Sequence, residues 1–521
     1  MDEFDPIELE LFKNAFISIS DEMGAVLGRT ALSPNIKERK DFSCSLFNRK
    51  GETFAQGSHI PVHLGAMPLS VQASIRSVDY HEGDLVILND PYQGGTHLPD
   101  ITCISPLFVD GKLSFFVANR AHHSDIGGMT PGSMPLASEI YQEGLIIPPL
   151  KMIEKGKLRS DLLHLILANV RTPEEREGDL LAQVAANKKG LQRLKEILQK
   201  HGVRKVQRYG IYIQDYTEKI LRDTLAQIPD GSYVFEDFMD EDGIHTNPVK
   251  IRALLTIAND EAIVDFEGSA PQVEGGINAN LAVTTSAILY VFRSLIREDI
   301  PFNTGLFRPL TILAPPGSVV NANSPAATAG GNVETSQRIV DILLGCLAQA
   351  IPERIPAASS GTMNNVALGG FDPLRNESFA YYETIGGGMG ASDSLPGLDG
   401  VHTHMTNSLN TPVEALENYL PIRIRRYTLR RRSGGKGRHR GGDGIIREYE
   451  FTVPTQVTII SERRRFSPYG LQGGSKGKTG KNILVSGNEK IPLRSKSNLI
   501  AKPGDRLLIE TPGGGGYGHT E

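Results

Sequence analysis

Two β-rich runs, Ile101 to Val109 and Lys112 to Asn119, are joined only by Asp110-Gly111, a dipeptide that strongly favours a two-residue hairpin loop. Few sequence features constrain a fold this tightly, because so short a loop also fixes the register of the strands it joins. With Val109 facing Lys112, Ile101 lies opposite Arg120 and Pro99 opposite His122. Asp100 and His122 then meet at the open end of the hairpin.

That open end is rich in polar donors. Gly94-Gly95-Thr96-His97-Leu98-Pro99-Asp100 leads into the first strand, and His122-His123-Ser124-Asp125 leaves the second. A divalent ion used in catalysis needs neutral nitrogen and anionic oxygen donors on a rigid scaffold with a position left for water. Imidazoles and carboxylates converging on one hairpin mouth fit that need. A single histidine near a strand end is more often a hydrogen-bonded loop residue, so the weight rests on the combination. His123 follows His122 on extended chain, so the two side chains leave opposite faces and only one neighbour reaches an ion easily.

The rest of the chain reads as alternating β and helical stretches. Residues 6 to 30 carry helical spacing, with Ile7, Leu11, Ala15, Ile17 and Met23 recurring. Phe42 to Phe47 and Glu52 to Ala55 read as a second hairpin, and Leu85 to Leu88 as a short buried strand. Thr172-Pro173-Glu174-Glu175 has the form of a capping box opening a helix. A further helix runs through Ile211 to Ile228 and stops at Pro229-Asp230-Gly231. Strands are expected at Val249 to Ile257 and Ala262 to Phe266, and buried helices at Thr284 to Arg297 and Ser336 to Ala350. These signals predict a multi-domain α+β protein with mixed β-sheets and helices: an N-terminal metal-binding region at 1–170, a helical segment at 171–231, a central α/β region with glycine-rich cleft loops at 232–422, and a small β-rich domain at 423–521.

Composition removes several function classes. A length of 521 residues supports more than one core. A formal net charge of −5 offers no positive field for nucleic acid or anionic lipid. No run of about eighteen apolar residues is present, and the acidic start Met1-Asp2-Glu3-Phe4-Asp5 is unlike a secretory signal. Three scattered cysteines, Cys44, Cys103 and Cys346, make neither a disulfide framework nor a thiolate metal site, which fits a reducing cytoplasm. The 55 glycines are roughly one and a half times the average usage of about 7%, and they cluster in loops that name no ligand by themselves. Gly386-Gly387-Gly388-Met389-Gly390 lacks the lysine and hydroxyl residue of a nucleotide-binding P-loop. His402-Thr403-His404 has no carboxylate close by. The arginines between Arg423 and Arg440, and Arg463 to Arg465, read either as solvated or salt-bridged surfaces or as recognisers of anionic intermediates or an acidic partner.

Several blocks occur together in order: Glu38-Arg39-Lys40-Asp41-Phe42-Ser43-Cys44, Asn89-Asp90-Pro91-Tyr92, Gly94 to Asp100, Ala121 to Asp125, Glu462 to Phe466 and Gly513 to Gly518. In these the chain resembles the B subunits of N-methylhydantoinase and ATP-dependent oxoprolinase, a family that includes the α subunits of acetone and acetophenone carboxylases. The resemblance implies one divalent transition metal (zinc, manganese, iron or cobalt) held by His97, Asp100 and His122 with Asp41 as fourth protein ligand. It places His123 and Asp125 beside the ion or the substrate, one of them shuttling a proton. Calcium disfavours two imidazoles and magnesium prefers more oxygen donors.

The resemblance also implies a partner, an A subunit with an actin-like ATPase fold that uses ATP and magnesium to phosphorylate the substrate's carbonyl oxygen. This chain would be a homodimer within an α2β2-type hetero-oligomer, acting on a lactam or hydantoin. Two other readings share these motifs: the α subunit of a ketone carboxylase, and a non-catalytic scaffold whose metal serves folding only.

Overall fold

The computed structural model of the chain describes residues 5–57 and 59–520; Met1 to Phe4 of the acidic start lie outside the described residues. The hairpin around Asp110-Gly111 is the centre of a seven-stranded antiparallel sheet, in the order Thr53–Gln56, Phe42–Asn48, Lys112–His122, Asp100–Val109, Leu85–Leu88, Leu150–Glu154, Lys157–Leu158. Asp110 and Gly111 both take positive φ, 51° and 71°, as a two-residue turn matched to strand twist requires.

The register departs from expectation by one residue. Val109 does pair with Lys112 and Phe108 with Leu113, but Leu107 pairs with Phe115, so Ser114 is an extra residue on the second strand. From there Ile101 faces Ala121 rather than Arg120, and Asp100 faces His122 directly. A β-bulge of this kind moves every later side chain to the other face of the pleat. Unbulged, Asp100 and His122 would leave opposite faces; bulged, they share one.

The two faces of this sheet pack differently. One carries Val86, Leu88, Ile104 and Phe116 against the helix Ala66–Ser77, and Arg120 reaches Ser70 on that helix at 2.7 Å. The other is covered by the long helices Pro6–Thr30 and Pro173–His201, through Phe16, Met23, Leu46, Val117 and Ala186 among others. At Thr172 the capping box does not form. The threonine makes no cap hydrogen bond, and Glu175 turns to Arg176 instead of reaching back.

A second sheet, Leu310–Leu313, Glu261–Asp265, Val249–Ala258 and Gly231–Met239, is backed by the helices Leu281–Ser294 and Ser336–Ala350 and encloses the largest apolar core. A third, Glu377–Glu383, Asn365–Asp372, Thr455–Ile460 and Lys496–Ala501, takes two strands from each side of the boundary expected at 422/423. A fourth has five strands, Ile422–Arg430, Gly444–Phe451, Arg506–Glu510, Lys481–Ser486 and Glu489–Leu493. The multi-domain α+β class is thus what the chain adopts, with β-rich structure closing it. Among the described residues no helix is long and apolar enough to cross a membrane.

Glycine loops from distant stretches pack against one another here. Met389 donates to Leu398, Gly442 to Met389, Gly514 to Gly442 and Gly435 to Gly514, all backbone to backbone. A Cβ on Gly390 would lie 1.7 Å from the Ala357 carbonyl oxygen, and one on Gly514 2.1 Å from that of Met389. Residues 386–390 and 513–516 are therefore paired to neighbouring backbone.

Candidate metal centre

Where the first sheet's hairpin opens, it meets the turn before the helix Ser336–Ala350 and the ends of third-sheet strands. The resulting cavity, about 20 Å³, is lined by the polar Asp41, His63, His97, Asp100 and His122 and by the apolar Ile60, Val62, Val333, Met363 and Met405, among others. That is room for a single water or ion.

Each donor is placed by backbone chemistry. Asn89 fixes the loop before the first strand, donating to the carbonyls of Leu98 and Leu145 and accepting from Ile147 N–H. Gly94, at φ 87°, passes so close to Leu69 and Ser70 that a Cβ would lie 2.5 Å from their backbone; only glycine accepts both demands. Asp41 receives the backbone N–H of His122 at 3.0 Å on its carbonyl, so the strand Phe42–Asn48 brings it alongside.

His97, Asp100 and His122 form a buried three-residue group whose ligand atoms lie within 4.8 Å of one another. His97 Nε2 stands 3.2 Å from His122 Nδ1, which is 3.3 Å from Asp100 Oδ1. Nitrogen and oxygen donors held about 2.1 Å from one ion at tetrahedral angles stand roughly 3.4 Å apart, so these separations fit a shared cation. Of these converging atoms, Asp100 Oδ1 is buried without a hydrogen-bond partner, a costly state unless something else is bound. Burial pushes the His97 imidazole down to about 3, leaving it neutral as a ligand must be. Burial alone would raise the Asp100 carboxyl, but the imidazoles of His97, His63 and His122 gathered around it hold it well below the usual carboxylate range. The donor set therefore suits a divalent transition metal.

Asp41 lines the same cavity but stands outside that group of three; its Oδ2 is 3.8 Å from Arg39 Nη2. The Arg39 guanidinium is itself used by the carbonyls of Tyr382 and Leu409 and the hydroxyls of Thr384 and Ser408. His123 and Asp125, expected to move protons, do not line the cavity. His123 leaves the opposite face of the strand from His122 and pairs with Gln183 at 3.0 Å. Asp125 is buried and accepts from Gly127 N, Gly132 N, Arg171 N and Arg171 Nη1, which folds the loop around it.

Sequence reasoning missed several cavity residues. His63, in the 3-10 turn Pro61–His63, is 1% exposed and reaches Asp100; no spacing ties it to the hairpin. Tyr382 stacks on His122, ring centroids 4.5 Å apart, and donates to Asn365. Asn332 and Val333 enter on the π-helical turn Gly331–Thr335, an irregularity that often marks functional sites. From the segment that follows the His402-Thr403-His404 run, Met405 and Thr406 line the cavity, whereas His402 itself meets Asn410 and His404 lies near Asp341. Several arginines of the two runs form salt bridges. Arg425 and Arg426 pair with Glu450 and Glu448, Arg440 with Asp399, and Arg463 with Asp237 and Asp341.

The family model for Hydantoinase B/oxoprolinase matches residues 5–520. An uncharacterized protein of Methanocaldococcus jannaschii is 43% identical over 99% of this chain and 91% of its own length. The chain is 41% identical to 5-oxoprolinase 1 of Arabidopsis thaliana over 99% of its own length, yet spans only 42% of that longer protein. The crystal structure of an ATP-dependent caprolactamase from Pseudomonas jessenii superposes with a TM-score of 0.93 at 30% identity, covering 99% of this chain and 92% of that one. The chain belongs to the Hydantoinase B/oxoprolinase family.

Proposed function

We propose that this chain is the metal-bearing component of an ATP-dependent cyclic amide hydrolase, completed by a separate ATPase subunit of actin-like fold in an α2β2-type assembly. The carrying observation is the buried His97, Asp100 and His122 group at the hairpin mouth. Similarity to an ATP-dependent caprolactamase and a 5-oxoprolinase supports the substrate class. The share of the plant protein that this chain does not span leaves room for the nucleotide chemistry there. Three free, buried cysteines accord with a cytoplasmic setting.

A lactam carbon is a poor electrophile because nitrogen donates into the carbonyl. Phosphorylation of the carbonyl oxygen by the partner removes that protection; water then adds to the carbon, the ring C–N bond opens as the nitrogen takes up a proton to leave an acyl phosphate, and a second water releases phosphate and the open-chain amino acid. Zinc, manganese, iron or cobalt held by His97, Asp100 and His122, with Asp41 in reach, would supply Lewis acidity and lower the pKa of water toward neutrality. The apolar wall of Ile60, Val62, Val333, Met363 and Met405 excludes bulk water, which strengthens each electrostatic contact inside. A cavity of about 20 Å³ holds an ion or a water but no lactam ring.

The test is to purify the chain with its ATPase partner, quantify bound metals, and assay ATP hydrolysis against hydantoins, 5-oxoproline, other lactams and ketones. Cyclic amide must stimulate turnover, and Asp100→Asn must lose both metal and turnover while remaining folded. Full activity in metal-free protein defeats the proposal. If metal loss removes folding and assembly together, the scaffold reading replaces it.

A further inference from the structure

Asp100 has two carboxylate oxygens in unlike surroundings. Oδ2 accepts the Thr96 hydroxyl at 2.5 Å and lies 3.2 Å from His63 Nε2 and 3.4 Å from His97 Nδ1, whereas Oδ1 has no hydrogen-bond partner and faces His122 Nδ1 at 3.3 Å. Both nitrogens of His63 are occupied, since Nδ1 sits 2.9 Å from Ser43 Oγ. His63 therefore has no nitrogen left for an ion, although it is 1% exposed and lines the cavity.

We infer that His63 is a positioning residue: with Ser43 and Thr96 it claims Asp100 Oδ2, so that the carboxylate presents Oδ1 alone to the ion. The inference rests on the proposed metal site and assigns its geometry. Ser43 Oγ–H donates to His63 Nδ1, which fixes the tautomer and leaves Nε2–H to donate to Oδ2. A carboxylate with one oxygen held in this way cannot chelate, and a coordination position stays open for water or substrate. The supporting elements are firm. Ser43 lies on the strand Phe42–Asn48, paired directly with the hairpin strand that carries His122, and His63 is held by the turn Pro61–His63.

Removing such a partner typically lowers metal affinity by about 10- to 100-fold. The experiment loads wild type, His63→Ala and His63→Gln with Co(II) or Zn(II), measures affinity by chelator competition, and records the visible Co(II) spectrum and the melting temperature of each metal-free chain. His63→Ala is expected to bind roughly 10- to 100-fold more weakly. Its Co(II) bands should weaken, because Oδ2, then held by Thr96 alone, can swing in and raise the coordination number. His63→Gln, which keeps an N–H near the Nε2 position, should restore most of the affinity and the wild-type spectrum. Unchanged affinity and spectrum in His63→Ala would overturn the inference, as would equal losses in both variants accompanied by a lowered metal-free melting temperature. If wild type itself takes up no divalent ion, it is the underlying metal reading that fails.

Discussion

Glu143 is buried completely, and its carboxyl is pushed up to about 8 from 4.5 by desolvation, against the opposing backbone N–H donations of Ala329 and Thr328. The side chain is therefore protonated in the folded protein at neutral pH, while the unfolded chain releases that proton above about 4.5. The native state binds more protons throughout this window, so stability falls as pH rises from 4.5 to 8 and is flat on either side. A difference of about 3.5 units at 1.36 kcal/mol each amounts to about 5 kcal/mol across the window, of which about 3 kcal/mol is already lost at pH 7. Glu143→Gln retains the acceptor oxygen for Thr328 and Ala329 but cannot ionise. In urea unfolding followed by circular dichroism, the variant should gain on wild type steadily between pH 5 and pH 8, whatever its offset at pH 5. A difference independent of pH would show that Glu143 is ionised in the fold and would refute the reasoning. The site matters because Thr328 and Ala329 lead into the π-helical turn that carries Asn332 into the cavity.

Two further outcomes test structural roles. Asp125→Asn should cost about 2–4 kcal/mol, through lost backbone acceptance and the broken Arg171 pair, while metal content by mass spectrometry stays at the wild-type level. Gly514→Ala should cost about 3 kcal/mol or more, because its Cβ would meet Met389 backbone at 2.1 Å. Gly111→Ala, with nothing within 4 Å of its Cβ and φ of 71°, should lose only about 1–2 kcal/mol for the left-handed backbone; equal losses in urea titrations would disprove the close-packing account.

Much of the site was legible because a two-residue turn is a local signal. Asp110-Gly111 specifies its own conformation, and the strands on either side must follow, so Asp100 and His122 were placed together without any tertiary information. The helices Pro6–Thr30 and Ser336–Ala350 were legible for the same reason, since their spacing repeats along one segment. What escaped depends on contacts between distant segments. Arg425 and Arg426 find Glu450 and Glu448 only when two strands pair. The glycine loops name no partner by themselves; which backbone each one faces is set by their mutual packing. His63 has no partner within its own stretch; Ser43 and Asp100 come to it from other elements.

The bulge at Ser114 shows how a local reading reaches a right answer through a wrong intermediate. Counting from the turn gives a constant pairing sum, and on that count Asp100 would face Ala121 and turn its carboxylate away from His122. Ser114 carries no signature of a bulge: it is a small polar residue near a strand end, and its hydroxyl bonds back to the Lys112 carbonyl. Yet the one-residue offset that it introduces carries through the remaining ladder to the hairpin mouth. It turns Arg120 toward Thr102 and Ser70, sends His122 to the cavity face, and leaves His123 to Gln183 on the other. Which of two adjacent histidines can reach an ion is thus decided eight residues upstream by a serine that takes no part in the chemistry.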